Sequence, residues 1–439
     1  MDKLKQWPGP KAKKVIEDGK EFCATTTVES NFVPSSTKRA WRIYLYDIDG
    51  NRFMDFCAGV GIANSGYGNK SIEKAIRQHL KRTGRIQYMS HDFYNEEAVN
   101  FAKILTAEIK QAVSADCDYK VYLTNSGTEA IEAGLKLAFA LRPTRRKMLA
   151  FQGAFHGRTL GSLPLMSNSD FRRDYPMAYE VVRLTFPRSG WPDYIQVFKE
   201  QLSKLEDSAS SFNSFVVELI QGQGGLHTVD REAMRLLCDF CVRHQIFLHV
   251  DEVQSGYGRT GRLLSVQHYP GVAPDIISLA KGIANGYPMG ATVFKEHLDW
   301  QELGRHAGSY GGNALGCAAA IATLDYLKEQ RVIESTECLG RILRSKLQWL
   351  CEKYPGIVAN VRGFGLMQAI DFVDKFGNAN KALCEKVIEQ GYLYGLILLG
   401  TGESAVRIMP PLVISEQELL DGLERLDCAI SDAIKIASV

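Results

Sequence analysis

Between residues 120 and 280 the chain repeats one device five times: a short apolar or β-branched run that stops at polar or small residues. The runs are Lys120–Thr124, Lys147–Phe151, Phe215–Ile220, Ile246–Val250 and Ile276–Ala280. Helical stretches separate them, such as Glu129–Leu141, where Ile131, Leu135, Ala138 and Leu141 share one stripe. Strands alternating with helices predict α/β architecture around a mainly parallel sheet. The polar stretch Ser208–Ser214 reads as a loop. Upstream, Tyr44–Phe56 reads as two strands around an Asp49-Gly50 turn, followed by a helix with Ile72, Ala75, Ile76 and Leu80 on one face. From about Ala318 a long helical pattern leads to a C-terminal part with short strands at Gly363–Asp371 and Ala405–Ile408. A chain of 439 residues is long enough for two or three structural units.

Composition narrows the function classes. Lys plus Arg exceed Asp plus Glu by 52 − 50 = 2, so no overall electrostatic footprint for nucleic acid exists. No apolar run approaches the roughly 18 residues of a membrane span, and the opening MDKLKQWPGPKAKK lacks the apolar stretch of a secretory signal. Ten cysteines at irregular spacing are too sparse for a disulfide scaffold, so reduced thiols and a cytoplasmic setting are expected.

In an open α/β sheet, ligands sit beyond the carboxyl ends of the strands, so the residues ending each run carry the argument. Lys120–Thr124 is followed by Asn125-Ser126-Gly127-Thr128 and then directly by a helix. Small residues at a helix N-terminus suit a phosphate, although a simple cap reads the same way. After Lys147–Phe151 come Phe155, His156 and Arg158, framed by glycines. Ile246–Val250 runs straight into Asp251, an acid that is costly at the end of an apolar strand unless paired. Ile276–Ala280 runs into Lys281. A lysine, an acid and an anion cradle converging on one sheet edge suit pyridoxal 5'-phosphate, which needs an amine to bind covalently, an acid opposite its ring nitrogen and a phosphate site.

On these motifs, and on Arg407-Ile408-Met409-Pro410-Pro411-Leu412, the chain resembles the class-III, ω-amino-acid type aminotransferases of the fold-type-I pyridoxal-phosphate enzymes, in particular 4-aminobutyrate aminotransferases. The resemblance implies a large cofactor-binding domain, residues 67–324, and a smaller α+β domain built from residues 1–66 and 325–439. It implies that Lys281 holds the cofactor covalently and shuttles the proton, and that Asp251 pairs with the ring nitrogen. Val253 would lie behind the ring, Phe155 on its other face and Gln254 near its phenolic oxygen. Ser126, Gly127 and Thr128 would hold the phosphate, with His156 and Glu218 supporting the site. Ser309 matches the residue that reaches the phosphate of a neighbouring subunit, which implies a homodimer with shared active sites. Arg158, Gln223 and Arg407 are the implied substrate contacts, for amino acids and 2-oxo acids, with no metal.

One position departs from the pattern. Where 4-aminobutyrate aminotransferases usually read Glu-Pro-Val-Gln-Gly-Glu-Gly-Gly, this chain reads Glu218-Leu219-Ile220-Gln221-Gly222-Gln223-Gly224-Gly225. The family's second glutamate neutralises the arginine matching Arg407 while an ω-amino substrate is bound; Gln223 carries no charge. Better handling of α-amino acids is the expectation, by transamination or, alternatively, by racemisation or epimerisation.

Two motifs point elsewhere. Gly256-x-Gly258-x-x-Gly261 matches the dinucleotide fingerprint formally, but no long helix pattern follows it and it falls late in the chain. Cys238-x-x-Cys241 lies within a helical pattern without a second such pair, so core thiols are expected rather than zinc.

Overall fold

The computed structural model describes all residues except 1, 2, 5, 27–30, 85–90, 115, 189–192 and 438–439. Fourteen strands occur among the described residues. They are β1 (Tyr44–Tyr46), β2 (Arg52–Asp55), β3 (Tyr119–Thr124), β4 (Lys147–Phe151), β5 (Glu180–Leu184), β6 (Phe212–Val217) and β7 (Phe247–Asp251). The rest are β8 (Ile276–Leu279), β9 (Gly290–Lys295), β10 (Val358–Phe364), β11 (Met367–Phe372), β12 (Leu396–Ile397), β13 (Leu399–Thr401) and β14 (Ala405–Ile408).

Seven of these form the central sheet in the order β3-β9-β8-β7-β6-β4-β5. Only β9 runs against its neighbours β3 and β8; the other pairings are parallel. Strands β6, β7 and β8 are buried along their whole length, as strands covered by helices on both faces must be. The carboxyl ends of β3, β4, β6, β7 and β8 therefore open on one edge. The helix Gly127–Leu141 follows β3 after only Asn125 and Ser126, and Ser126 caps it, its hydroxyl accepting the Glu129 N–H.

A smaller four-stranded sheet, β10-β11-β14-β13, is antiparallel throughout. The N-terminal hairpin β1-β2 takes β12 as its third strand, so chain segments some 340 residues apart share one sheet. No helix among the described residues is long and apolar enough to cross a membrane.

Several expected boundaries move. The stretch read as a loop, Ser208–Ser214, divides into the end of a 3-10 turn, Glu206–Ser211, and the start of β6 at Phe212. Asn213 and Ser214 are polar yet fully buried, and the Asn213 amide donates to the carbonyls of Ala138, Arg142 and Arg145. Buried polar residues with complete partners look like loop in a sequence. Consequently Glu218, Leu219 and Ile220 lie beyond the strand. The single run Gly363–Asp371 spans two hairpin strands, β10 and β11, turned at Gly365 with φ +52°. Strands β5 and β9 have no counterpart in the runs read from the sequence.

Candidate active site

The strand ends enclose a cavity of about 940 Å³. Its wall includes every candidate residue of this chain except Ser309: Ser126, Gly127 and Thr128 after β3, Phe155, His156 and Arg158 after β4, and Glu218 and Gln223 after β6. Asp251, Val253 and Gln254 come from β7 and its turn, Lys281 follows β8, and Arg407 arrives from β14 of the smaller sheet. Ser309 is exposed and does not line this cavity.

Asp251 is 6% exposed, and its Oδ2 lies 2.8 Å from His156 Nδ1. The other carboxylate oxygen accepts the Val253 N–H at 2.9 Å. Burial works to lower the His156 pKa, but the hydrogen bond and charge of Asp251, with the charge of Glu218, outweigh it and raise the pKa above the ordinary value. The contact holds the carboxyl group in place on the cavity wall. Glu218 accepts the N–H groups of Phe155 at 2.9 Å and Gly222 at 2.8 Å. Burial, aided by the Asp251 charge and opposed by His156 and the two N–H donors, pushes its pKa up to about 7.

Lys281 has φ +45°, a left-handed conformation that a residue with a Cβ adopts at some cost, and it starts the short turn Lys281–Ala284. Burial lowers its pKa to about 8, against partial compensation by Asp251 and Glu218. The sign of the linkage follows from a folded pKa below the unfolded value of 10.5. The stability contribution is present above 10.5 and is lost as pH falls through about 8. Thermal melts of the cofactor-free protein and of Lys281→Met should therefore differ most below this window and converge above it. A constant difference across the window would show that the lysine is not desolvated.

The residues present fit pyridoxal phosphate. Gln254 donates from Nε2 to the Val60 carbonyl at 3.2 Å, while its Oε1 is buried without a partner. A Cβ on Gly127 would lie 2.7 Å from Val253 Cγ1, so only glycine lets the helix N-terminus approach the turn after Asp251. The first N–H groups of that helix have no intrahelical acceptors and face the cavity end that suits an anion.

Arg407 is partly buried and burial lowers its pKa. Its Nε is buried without a hydrogen-bond partner. Gln223 is exposed on the same cavity wall, and no hydrogen bond joins it to Arg407 among the described residues. Arg158 stacks its guanidinium 3.9 Å from the Phe171 ring centroid.

Sequence reading missed one wall of the cavity. Ala58, Gly59, Val60 and Gly61 all have positive φ, from +48° to +83°, and form a left-handed turn that brings Val60 and Ile62 to the cavity. Buried Asp55 braces it, accepting the N–H groups of Cys57 at 2.7 Å and Gly59 at 3.0 Å and the Tyr67 hydroxyl at 2.6 Å. The only available signal was the pair of glycines flanking Val60. The two decoy motifs resolve plainly. Cys241 is core and Cys238 half-buried on the helix Arg231–His244, and the loop Gly256–Gly261 leads into a 3-10 turn, Ser265–His268, instead of a long helix.

Comparison with known proteins agrees with this geometry. Residues 25–430 match the family described as aminotransferase class-III. An acetylornithine aminotransferase of Prochlorococcus marinus is 33% identical over 88% of this chain and 88% of its own length. A mitochondrial acetylornithine aminotransferase of Eremothecium gossypii is 31% identical over 94% of this chain and 96% of its own. Among solved structures, an aminotransferase of Bacillus anthracis superposes with a TM-score of 0.86 at 25% identity, covering 96% of this chain and 99% of that one. A pyridoxal-phosphate-bound amine transaminase from an uncultivated Pseudomonas species superposes with a TM-score of 0.84 at 26% identity, covering 94% and 97%. A fold-type-I sheet, a lysine and an acid at adjacent strand ends, and a family match over nearly the whole chain converge on one conclusion: this chain belongs to the class-III aminotransferases, enzymes that use pyridoxal 5'-phosphate to move amino groups between amino acids and 2-oxo acids.

Proposed function

We propose that this enzyme transfers the amino group of a carboxylate-bearing amino acid to a 2-oxo acid such as 2-oxoglutarate, with Arg407 as the carboxylate anchor. The observation that carries this reading is the Arg407 guanidinium, which lines the cavity with an unpartnered Nε and shares it with Gln223, at a position where the resembling 4-aminobutyrate aminotransferases carry a glutamate. An arginine without an acidic neighbour is open to bidentate capture of a carboxylate.

The bound cofactor would supply the electron sink that stabilises the carbanion formed when the substrate loses a proton. In this reading Lys281 is the covalent anchor and, once displaced by the substrate amine, the base and acid that carries the proton; a pKa near 8 suits both roles. Asp251, fixed by His156, would keep the ring nitrogen protonated. Phe155 and Val253 would enclose the ring, Gln254 beside Glu218 would serve its phenolic oxygen, and Ser126, Gly127 and Thr128 would hold the phosphate. Ser309, exposed in the single chain, belongs to the same proposal as a contributor to a partner's phosphate site in a homodimer. So do the domain division at residues 66 and 324 and a cytoplasmic setting, the latter supported by ten free thiols.

The donor is the finer question. Relatives named for acetylornithine support an ω-amino donor, and 4-aminobutyrate is the other ω-amino candidate. The replacement of the neutralising glutamate by Gln223 supports good use of α-amino acids. Gln223→Glu is expected to shift the ratio of kcat/KM for α- over ω-amino substrates down by about tenfold, the size of one hydrogen bond to a charged group. An unchanged ratio would remove the argument about Arg407. Single enantiomers incubated with enzyme and cofactor, followed by chiral separation, test the racemase or epimerase alternative. Loss of enantiomeric purity without a 2-oxo acid would replace the transferase reading.

A further inference from the structure

The glycine-rich loop that resembles a dinucleotide fingerprint has a different use. Its Arg259 is fully buried, and none of its hydrogen-bond acceptors among the described residues is a carboxylate. Instead it donates to three neutral acceptors on three distant segments: the Leu366 carbonyl at 3.1 Å, the Pro410 carbonyl at 2.6 Å and Asn64 Oδ1 at 2.6 Å. Its own carbonyl accepts the Leu366 N–H at 3.2 Å. Close approach is what the glycines provide. Gly258 and Gly261 have φ +86° and +80°, a Cβ on Gly261 would lie 3.0 Å from the Glu337 Cα, and one on Gly365 would lie 2.4 Å from the Thr260 carbonyl carbon.

A buried charge contributes little net stability, and apolar residues of similar volume often replace one without loss. What a guanidinium provides here is rigid geometry between its acceptors. Two of those acceptors bracket Arg407. Pro410 follows it by three residues, and Leu366 turns the chain into β11, whose Ala369 is the register partner of Arg407. The third acceptor leads to the covalent lysine. Asn64 packs so closely on Gly282, next to Lys281, that a Cβ there would lie 2.4 Å from its amide nitrogen. Asn64 also donates to the Tyr257 carbonyl at 2.9 Å, and its own carbonyl accepts the Leu412 N–H at 2.9 Å.

We propose that Arg259 is a positioning residue that sets the spacing between Arg407 and Lys281, and with it the distance between carboxylate and amine in the preferred substrate. This inference rests on the reading of Arg407 as the carboxylate anchor. The test uses holoenzyme and glutarate, a dicarboxylate with no amine to react. Arg259→Lys keeps the charge but cannot reach three acceptors, and calorimetry should show glutarate binding weakened about tenfold, the size of one lost hydrogen bond to a charged group at the anchor. KM for amino acids should rise in parallel, with kcat falling less than about threefold and the cofactor absorbance unchanged. The loss should disappear in an Arg407→Met background, because the two residues act through one contact. Undiminished glutarate binding in Arg259→Lys, or additive losses in the double variant, would overturn the proposal. If Arg259→Lys does not fold, Asn64→Ala, which removes one acceptor and keeps the arginine, is expected to weaken glutarate binding in the same Arg407-dependent way; unaltered binding would overturn the proposal equally. Arg407→Met alone separates the two levels. If it fails to weaken glutarate binding, the anchor reading falls and this inference with it; if it weakens binding while Arg259→Lys does not, only this inference falls.

Discussion

Lys281→Ala is expected to reduce amino-group transfer by about 10³-fold or more, the upper part of the range for a positioned acid–base group, since covalent attachment is lost as well. Cofactor should still bind through the helix N-terminus at Gly127 and Thr128, so the variant is expected to hold pyridoxal phosphate without a covalent bond. The physical basis is the environment of the amine. Lys281 sits at the end of a fully buried strand, in a left-handed conformation, with a pKa lowered to about 8 by burial. Borohydride reduction of the wild-type holoenzyme, followed by peptide mapping, should place a single adduct on the peptide containing Lys281. An adduct on any other lysine would refute the assignment.

Asp251→Asn keeps the shape of the side chain and removes its charge. Two consequences follow from the 2.8 Å contact with His156. The acid proposed to pair with the ring nitrogen is lost, and the imidazole loses the partner whose hydrogen bond and charge raise its pKa. Burial then acts on His156 nearly unopposed and favours the neutral ring. A rate loss of about 10²–10⁴-fold is expected, measured in single-turnover half-reactions with amine alone. Since Asp251 is 6% exposed and also caps the Val253 N–H, which Asn can still accept, folding should be largely retained. A loss of less than tenfold would mean that another group protonates the ring.

The parts of the site that were legible in the sequence share one property: each is declared within a few residues. An apolar run that stops at Asp251 or Lys281 announces an inward-facing polar group whatever the rest of the chain does. Ser126-Gly127-Thr128 before a helical stripe announces a capped helix start in the same way. Strands such as β4 and β14 matched their runs residue for residue, because most of their residues are both apolar and buried. Where burial and polarity part company the reading slipped. Asn213 and Ser214 are buried strand residues satisfied by partners elsewhere, and β5 is an edge strand with a weak apolar signal.

The sequence by itself determined the α/β class, the order of the strand ends that meet at the cavity, and that a candidate acid and lysine follow neighbouring strands, since periodicity and strand-end chemistry are local. Only the tertiary structure decided which distant segments complete the site. It brought Arg407 from the smaller sheet into the same cavity as Gln223, folded Ala58–Gly61 into a left-handed turn that bonds Gln254, and gave Arg259 acceptors from residues 64, 366 and 410. Those meetings depend on strand register and on close approach at glycines, and neither leaves a periodic trace along the chain.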